Sequence, residues 1–124
     1  MTKLNFLVAD DYIDNRILLK EIINILGHNC ILAEDGEQAC EMLKTNAVDI
    51  ILMDIEMPRL NGLEATYEIR TYFSSPKNKT PIIAISAHSP EHFNAKLKKT
   101  GFNDYISKPY SIEKIIDIIN RYKK

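Results

Sequence analysis

The residues of this sequence best equipped for chemistry are a carboxylate pair, Asp10-Asp11, a carboxylate at Asp54, a hydroxyl at Ser86 and an ammonium at Lys108. Carboxylates brought close together repel one another and raise their own proton affinities unless a cation sits between them. A few protein carboxylates completed by water suit a hard, hydrated ion, Mg²⁺ or Mn²⁺, better than Ca²⁺, which takes a fuller oxygen cage. A lysine and a hydroxyl beside that ion have a defined use, because with the metal they hold the equatorial oxygens of a phosphoryl group during in-line transfer. Asp54 is then left as the nucleophile, its carboxylate forming an acyl phosphate. All of this requires a fold that gathers residues spread from position 10 to position 108.

Such a fold is written in the apolar pattern. Short β-branched runs, Leu4 to Ala9, Cys30 to Ala33, Ile50 to Met53, Ile82 to Ile85 and Tyr105 to Ser107, predict five buried strands. Between them run segments with helical spacing: Leu18, Ile22, Ile25 and Leu26, then Ala39, Cys40, Leu43 and Ala47, then Thr66, Ile69 and Phe73. Ile112, Ile115, Ile116, Ile119 and Tyr122 form the clearest stripe, with Ser111 placed to cap that last helix. The segment from Pro90 to Thr100 predicts a more loosely held helix, since only Phe93 and Leu97 keep the spacing among Lys96, Lys98 and Lys99. Gly27, Gly36 and Gly101 fall at element boundaries, and 58–62 and 74–80 read as loops.

Strands alternating with helices give an α/β class, a doubly wound (βα)₅ sandwich over a five-stranded parallel sheet, because each parallel connection needs a right-handed crossover. Ligand sites of such sheets lie beyond the carboxyl ends of the strands. Asp10-Asp11 follow the first strand, Asp54 the third, Ser86 the fourth and Lys108-Pro109 the fifth, so four strands deliver polar groups to one rim.

Composition narrows the rest. A chain of 124 residues with 45% hydrophobic and 27% charged residues fits one globular domain, 1–124, and excludes a disordered tail or a fibre. Sixteen Lys+Arg against 17 Asp+Glu, a net charge of -1, lacks the basic excess of a direct nucleic-acid partner. No apolar run approaches the ~18 residues needed to span a bilayer, and residues 1–6 do not open a signal peptide, so a cytoplasmic protein without a membrane partner is expected. Cys30 and Cys40 form no Cys-x-x-Cys pair and read as reduced core thiols.

The run Met53-Asp54-Ile55-Glu56-Met57-Pro58 with Gly62, the pair Asp10-Asp11, Ser86-Ala87 and Lys108-Pro109 together resemble the response-regulator receiver domains of two-component signalling. Asn15-Arg16, Leu26-Gly27-His28 and Gly62-Leu63-Glu64-Ala65-Thr66 look most like the receivers of hybrid sensor kinases. The resemblance covers essentially the whole chain. It implies a flavodoxin-like sheet of order 2-1-3-4-5 and a phosphorylation-dependent switch that takes its phosphoryl group from a phosphohistidine donor, a histidine kinase or phosphotransfer protein. Asp54 would be the phosphoacceptor. Asp11, Asp54 and the backbone carbonyl of Glu56 would bind Mg²⁺ directly, and Asp10 through water. Lys108 would pair with the phosphoryl group, preceding a cis bond to Pro109. Ser86 would move toward a phosphoryl oxygen and Tyr105 would follow it inward, while Glu56 and His88 would flank the path of the water that removes the phosphoryl group. The family catalyses its own phosphoryl transfer and dephosphorylation without being a conventional enzyme.

Other readings compete. A lone Asp at a strand end is more often a cap or turn residue, Tyr105 can be a core aromatic, and His88 and His92 lack a third ligand and read as surface residues. A flavin carrier would need a phosphate-cradling loop where Asp10-Asp11 stand, and an aspartyl phosphatase would carry its nucleophile on the first strand. The remaining alternative is a non-phosphorylated interaction module, which the intact acceptor, acidic pair and lysine disfavour. Met1 and the prompt end after the last helix favour a free-standing regulator, the hybrid-like motifs a receiver within a longer protein. Output is expected through the face of the fourth helix, fifth strand and fifth helix, with Lys96, Lys99, Tyr105, Lys114 and Ile118 as its residues.

Overall fold

The computed structural model describes residues 3–87 and 95–123. In chain order the elements are β1 (Asn5–Ala9), α1 (Ile13–Ile25), β2 (Asn29–Ala33), α2 (Gly36–Thr45), β3 (Ile50–Asp54), α3 (Gly62–Tyr72), a 3₁₀ turn (Lys77–Lys79), β4 (Ile82–Ser86), α4 (Ala95–Thr100), β5 (Asp104–Ser107) and α5 (Ile112–Tyr122). The helix expected from Pro90 is thus described only over its second half; His88, His92 and Phe93 lie outside the described residues. The strands form one parallel sheet in the order β2-β1-β3-β4-β5.

The strands are apolar at nearly every position because both faces of a parallel sheet are covered by helices. Alternation sorts their side chains into two cores. Phe6, Val8, Ile50, Leu52, Ile83 and Ile85 face one way and pack with Leu19, Ile22 and Ile23 of α1 and Ile115, Ile118 and Ile119 of α5. Leu7, Ala9, Ile51, Met53, Ile82 and Ala84 face the other way, against Ala39, Cys40 and Leu43 of α2, Ala65 and Ile69 of α3, and Leu97 of α4. Burial pushes the thiols of half-buried Cys30 and buried Cys40 up to about 12 and about 11, which favours the protonated thiol over the nucleophilic thiolate.

Two helices turn a different face inward than their apolar spacing predicts. In α1 the buried residues include Leu19, Ile22 and Ile23, while Leu18 and Ile25 are exposed. In α5 they are Ile115, Ile118 and Ile119, with Ile112 and Ile116 exposed, so Ile118 belongs to the core rather than to an outer face. Each helix carries more apolar residues than one stripe can hold, and its docking angle on the sheet, which spacing does not encode, decides among them. Ala47 lies past the end of α2 and is exposed. Ser111 caps α5 as expected, accepting from the Lys114 N–H, and two caps not singled out in the sequence join it: Asp35 accepts from the Gln38 N–H, and Asn61 and Glu64 form a reciprocal capping box. Among the described residues no helix is long and apolar enough to cross a membrane.

Candidate functional site

Strand register builds the site. In the β1–β3 pairing Val8 lies beside Leu52 and Ala9 beside Met53, so the next residues of the two strands bring Asp10 and Asp54 together on one face. On the other side of β3, Asp54 pairs with Ile85 and Ser86 with Ser107, which sets Ser86 and Lys108 at the same level. One carboxylate oxygen each from Asp10, Asp11 and Asp54 lies within 4.8 Å of the others. Asp10 and Asp54 are buried, at 0% and 3% exposure, and Asp11 is exposed, so the group opens to solvent on one side only.

Lys108 brings an ammonium to the carboxylates of this rim. Its Nζ donates to Asp54 Oδ2 at 3.0 Å and stands 3.8 Å from Asp10 Oδ2. Burial pushes the Asp54 carboxyl up to about 6, with Asp10's charge adding to the rise and the Lys108 hydrogen bond opposing it. Burial works against the Lys108 charge, yet Asp54 and Asp10 outweigh it and hold the ammonium above its usual value. The Lys108–Pro109 peptide is cis, and the Lys108 N–H donates to the Ser86 carbonyl at 2.8 Å, continuing the β4–β5 ladder. Ser86 itself is buried and Tyr105 is half-buried against the α2–α3 core.

The loop after Asp54 is fixed to the rim. The Glu56 N–H donates to Asp54 Oδ1 at 3.2 Å and the Gly62 N–H to the Ile55 carbonyl at 2.9 Å. A Cβ on Gly62 would stand 2.2 Å from the Asp54 carbonyl oxygen, so no other residue fits where α3 begins. The second side of the loop rests on the start of α2: Gly36 N–H donates to Leu60 O, and Arg59, at φ 62°, pairs with Asp35 at 2.6 Å. Burial raises the Asp35 carboxyl, but bonds from the Gln38 N–H and Arg59 outweigh it and hold the group below its usual range. The cleft beside Asp11, about 640 Å³, is lined by Glu56, Met57, Pro58 and Asn61. A larger groove of about 910 Å³ between α2 and α3 holds none of the rim residues, so volume does not mark the chemistry here.

Two side chains at the rim had no part in the expected site. Arg16, which entered only as a family-like motif, is buried and donates to the Asp10 carbonyl at 2.7 Å while standing 3.7 Å from Glu34. The Tyr110 hydroxyl donates to Asp10 Oδ2 at 2.8 Å. Its place directly after Lys108-Pro109 was the available signal. Lys114, assigned in sequence to an outer face, instead turns its ammonium onto the carbonyls of Ser107 and Pro109, at 2.9 and 3.0 Å.

A doubly wound sheet with an acidic cluster and a lysine at its carboxyl rim defines the receiver class, and the response regulator receiver domain family matches residues 6–120. The chain belongs to that family. It is 37% identical over 119 residues to hybrid signal transduction histidine kinase I of Dictyostelium discoideum, a match covering 92% of this chain and 7% of that protein. It is 32% identical over 110 residues to the transcriptional regulatory protein CpxR of Escherichia coli, covering 89% of this chain and 45% of that one. The chain therefore spans less than half the length of these relatives. Among solved structures, it is similar to the receiver domain of the sensor histidine kinase PA1611 of Pseudomonas aeruginosa, which has a magnesium ion coordinated in its active-site cleft (TM-score 0.86, 30% identity, 98% of each chain). It is also similar to a chain of the Saccharomyces cerevisiae complex of the phosphotransfer protein Ypd1 with the receiver domain of Ssk1 (TM-score 0.87, 26% identity, 97% of this chain and 88% of that one).

Proposed function

We propose that this chain, as one receiver domain over 1–124, is a phosphorylation-dependent switch that takes a phosphoryl group from a phosphohistidine onto Asp54. The observation that carries this reading is the convergence of three carboxylates within 4.8 Å with the Lys108 ammonium 3.0 Å from Asp54. The donor set fits a divalent metal, since the oxygens are hard, one side is open to water and the charges need a cation between them. Asp11, Asp54 and the Glu56 backbone carbonyl would hold Mg²⁺, which Mn²⁺ can replace, with Asp10 acting through water. When bound, the ion neutralises charge on the rim and on the transferring oxygens.

The remaining work falls to the chain. A carboxylate oxygen of Asp54 attacks phosphorus, the O–P bond forms as the N–P bond to the donor imidazole breaks, and that nitrogen keeps the electron pair, so that a donor ring protonated on its other nitrogen leaves as neutral imidazole. Lys108 holds a phosphoryl oxygen as its charge leaves the Asp54 carboxylate, and the Ser86 hydroxyl holds another. Ser86 and Tyr105 then bias the face of α4, β5 and α5 between two arrangements, read by a downstream protein through Lys96, Lys99 and Tyr105. The donor, a histidine kinase or phosphotransfer protein, has a surface to dock on. Tyr12, Ile13, Ile17 and Leu18 are all more than two-fifths exposed at the start of α1, directly after Asp11.

The test is incubation with a small-molecule phosphodonor and Mg²⁺ followed by intact mass. The reading expects one phosphoryl group on the wild type, none with a chelator and none on Asp54→Asn. A phosphoryl group retained by Asp54→Asn would overturn it.

A further inference from the structure

Asp10 is fully buried, and both of its carboxylate oxygens are engaged. The Tyr12 N–H donates to Oδ1 at 2.9 Å, and the Tyr110 phenol donates to Oδ2 at 2.8 Å. The same Oδ2 lies 3.8 Å from Lys108 Nζ, whose shorter contact is the 3.0 Å bond to Asp54 Oδ2. Two carboxylates thus face one ammonium, and a neutral hydroxyl already occupies the oxygen of the more distant one. An ammonium is the stronger donor to a carboxylate. With the hydroxyl gone, a buried Oδ2 would lack its partner, and the nearest cation able to replace it is Lys108.

The phenol is held firmly enough for this task. Tyr110 lies between Pro109, whose carbonyl accepts from Lys114 Nζ, and Ser111, which caps α5. Its ring packs on the α1–α5 core. From the other side, Arg16 holds the Asp10 carbonyl, so the main chain of Asp10 is fixed independently of Tyr110.

We infer that Tyr110 is a positioning residue whose hydroxyl engages Asp10 Oδ2 and so reserves Lys108 for Asp54. The residue after Lys108-Pro109 would then help set how strongly the rim takes a divalent cation and a phosphoryl group. The inference rests on the reading of Asp54 as phosphoacceptor, because Lys108 matters to transfer only through Asp54. Tyr110→Phe removes the hydroxyl and leaves the ring. Lys108 is then expected to turn toward Asp10, neutralising one metal-binding carboxylate and leaving Asp54 without its partner.

The experiment compares wild type, Tyr110→Phe and Tyr110→Leu at matched thermal midpoints for the first two. In metal-free protein the ¹⁵N signal of the Lys108 ammonium, assigned by its loss in Lys108→Arg, is expected to shift in Tyr110→Phe. Mg²⁺ affinity, followed by titration of backbone amide signals, is expected to fall roughly tenfold, the lower end of what a lost partner of a metal-binding carboxylate costs. Phosphoryl uptake at saturating Mg²⁺ is expected to slow. An unshifted Lys108 signal with Mg²⁺ affinity within about twofold of wild type would overturn the inference. So would a loss confined to Tyr110→Leu, which would assign the effect to the ring. If wild type binds Mg²⁺ but Asp54 takes no phosphoryl group, the phosphoacceptor reading fails and the inference, which rests on it, falls too. If wild type is phosphorylated on Asp54 while Tyr110→Phe shows an unshifted Lys108 signal and an Mg²⁺ affinity within about twofold of wild type, the inference alone is defeated.

Discussion

At the amino-terminal end of the sheet Arg70 donates to the carbonyls of Asn78, Thr80 and Gly101 and to Asn103 Oδ1, all at 2.8 to 3.0 Å. At the carboxyl end Lys108 is shared between Asp54 and Asp10, with Asp11 close by. Both are cations reaching oxygens at strand ends, yet they do opposite things. Arg70 meets neutral acceptors, satisfies the carbonyls where α4 turns into β5 and fastens the loop after α3, so its charge is spent on holding the fold. Lys77 acts likewise on the last carbonyls of α2, those of Leu43 and Lys44. Lys108 faces more negative charge than it can neutralise, and the deficit is carried as repulsion. Under the proposed function, one end serves stability and the other binding, the trade that functional sites commonly show.

The largest expected effect breaks the stabilising end. Arg70→Met strands several carbonyls and should cost about 3 kcal/mol in urea unfolding, while leaving Mg²⁺ affinity unchanged. A matching loss of Mg²⁺ affinity would mean that the two ends are not separate. Next, Mg²⁺ at a hundredfold its dissociation constant should add about 2.7 kcal/mol to the stability of wild type and of Arg70→Met alike. The same addition to Asp11→Asn would place the ion elsewhere.

A smaller effect sharpens the cost of the acidic end. The Asp54 carboxyl sits at about 6 against an ordinary 3.8. A raised folded-state value favours the folded state below the ordinary one, and that contribution is lost as pH rises through the raised one. Metal-free Asp54→Asn should therefore be more stable than wild type by about 1 kcal/mol at pH 7, less than the full shift because the Lys108 bond goes too, with the gain fading as pH falls from about 6 to about 4. An equal difference at both pH values would remove charge as its cause. The smallest effect returns to the first end: Lys77→Met should cost about 0.5 kcal/mol through the lost cation at the α2 carboxyl terminus, with phosphoryl uptake unchanged.

The stabilising end was nearly invisible in the sequence, and the acidic end was not. Asp10, Asp54, Ser86 and Lys108 follow β-branched runs that alternate with helices, so their place at the carboxyl rim was legible from spacing, while the strand order that makes them neighbours came from the family resemblance. Arg70 carries no such mark: it lies on α3 beside Ile69, and its partners come from two connections, α3 to β4 and α4 to β5, whose conformations spacing does not specify. Tyr110 was missed for a related reason. Its neighbours in the chain named the site, but the direction of its hydroxyl depends on how α5 docks. The same docking moved Ile118 into the core and Ile112 and Ile116 out of it.

The most direct test of the account is to identify which carboxylate becomes the acyl phosphate. Borohydride reduction after phosphodonor and Mg²⁺ treatment converts a phosphorylated aspartate to homoserine, which peptide mapping then locates. The account predicts homoserine at position 54 alone, in wild type and in Arg70→Met. Homoserine at position 10 or 11, or at a carboxylate away from this rim, would contradict it.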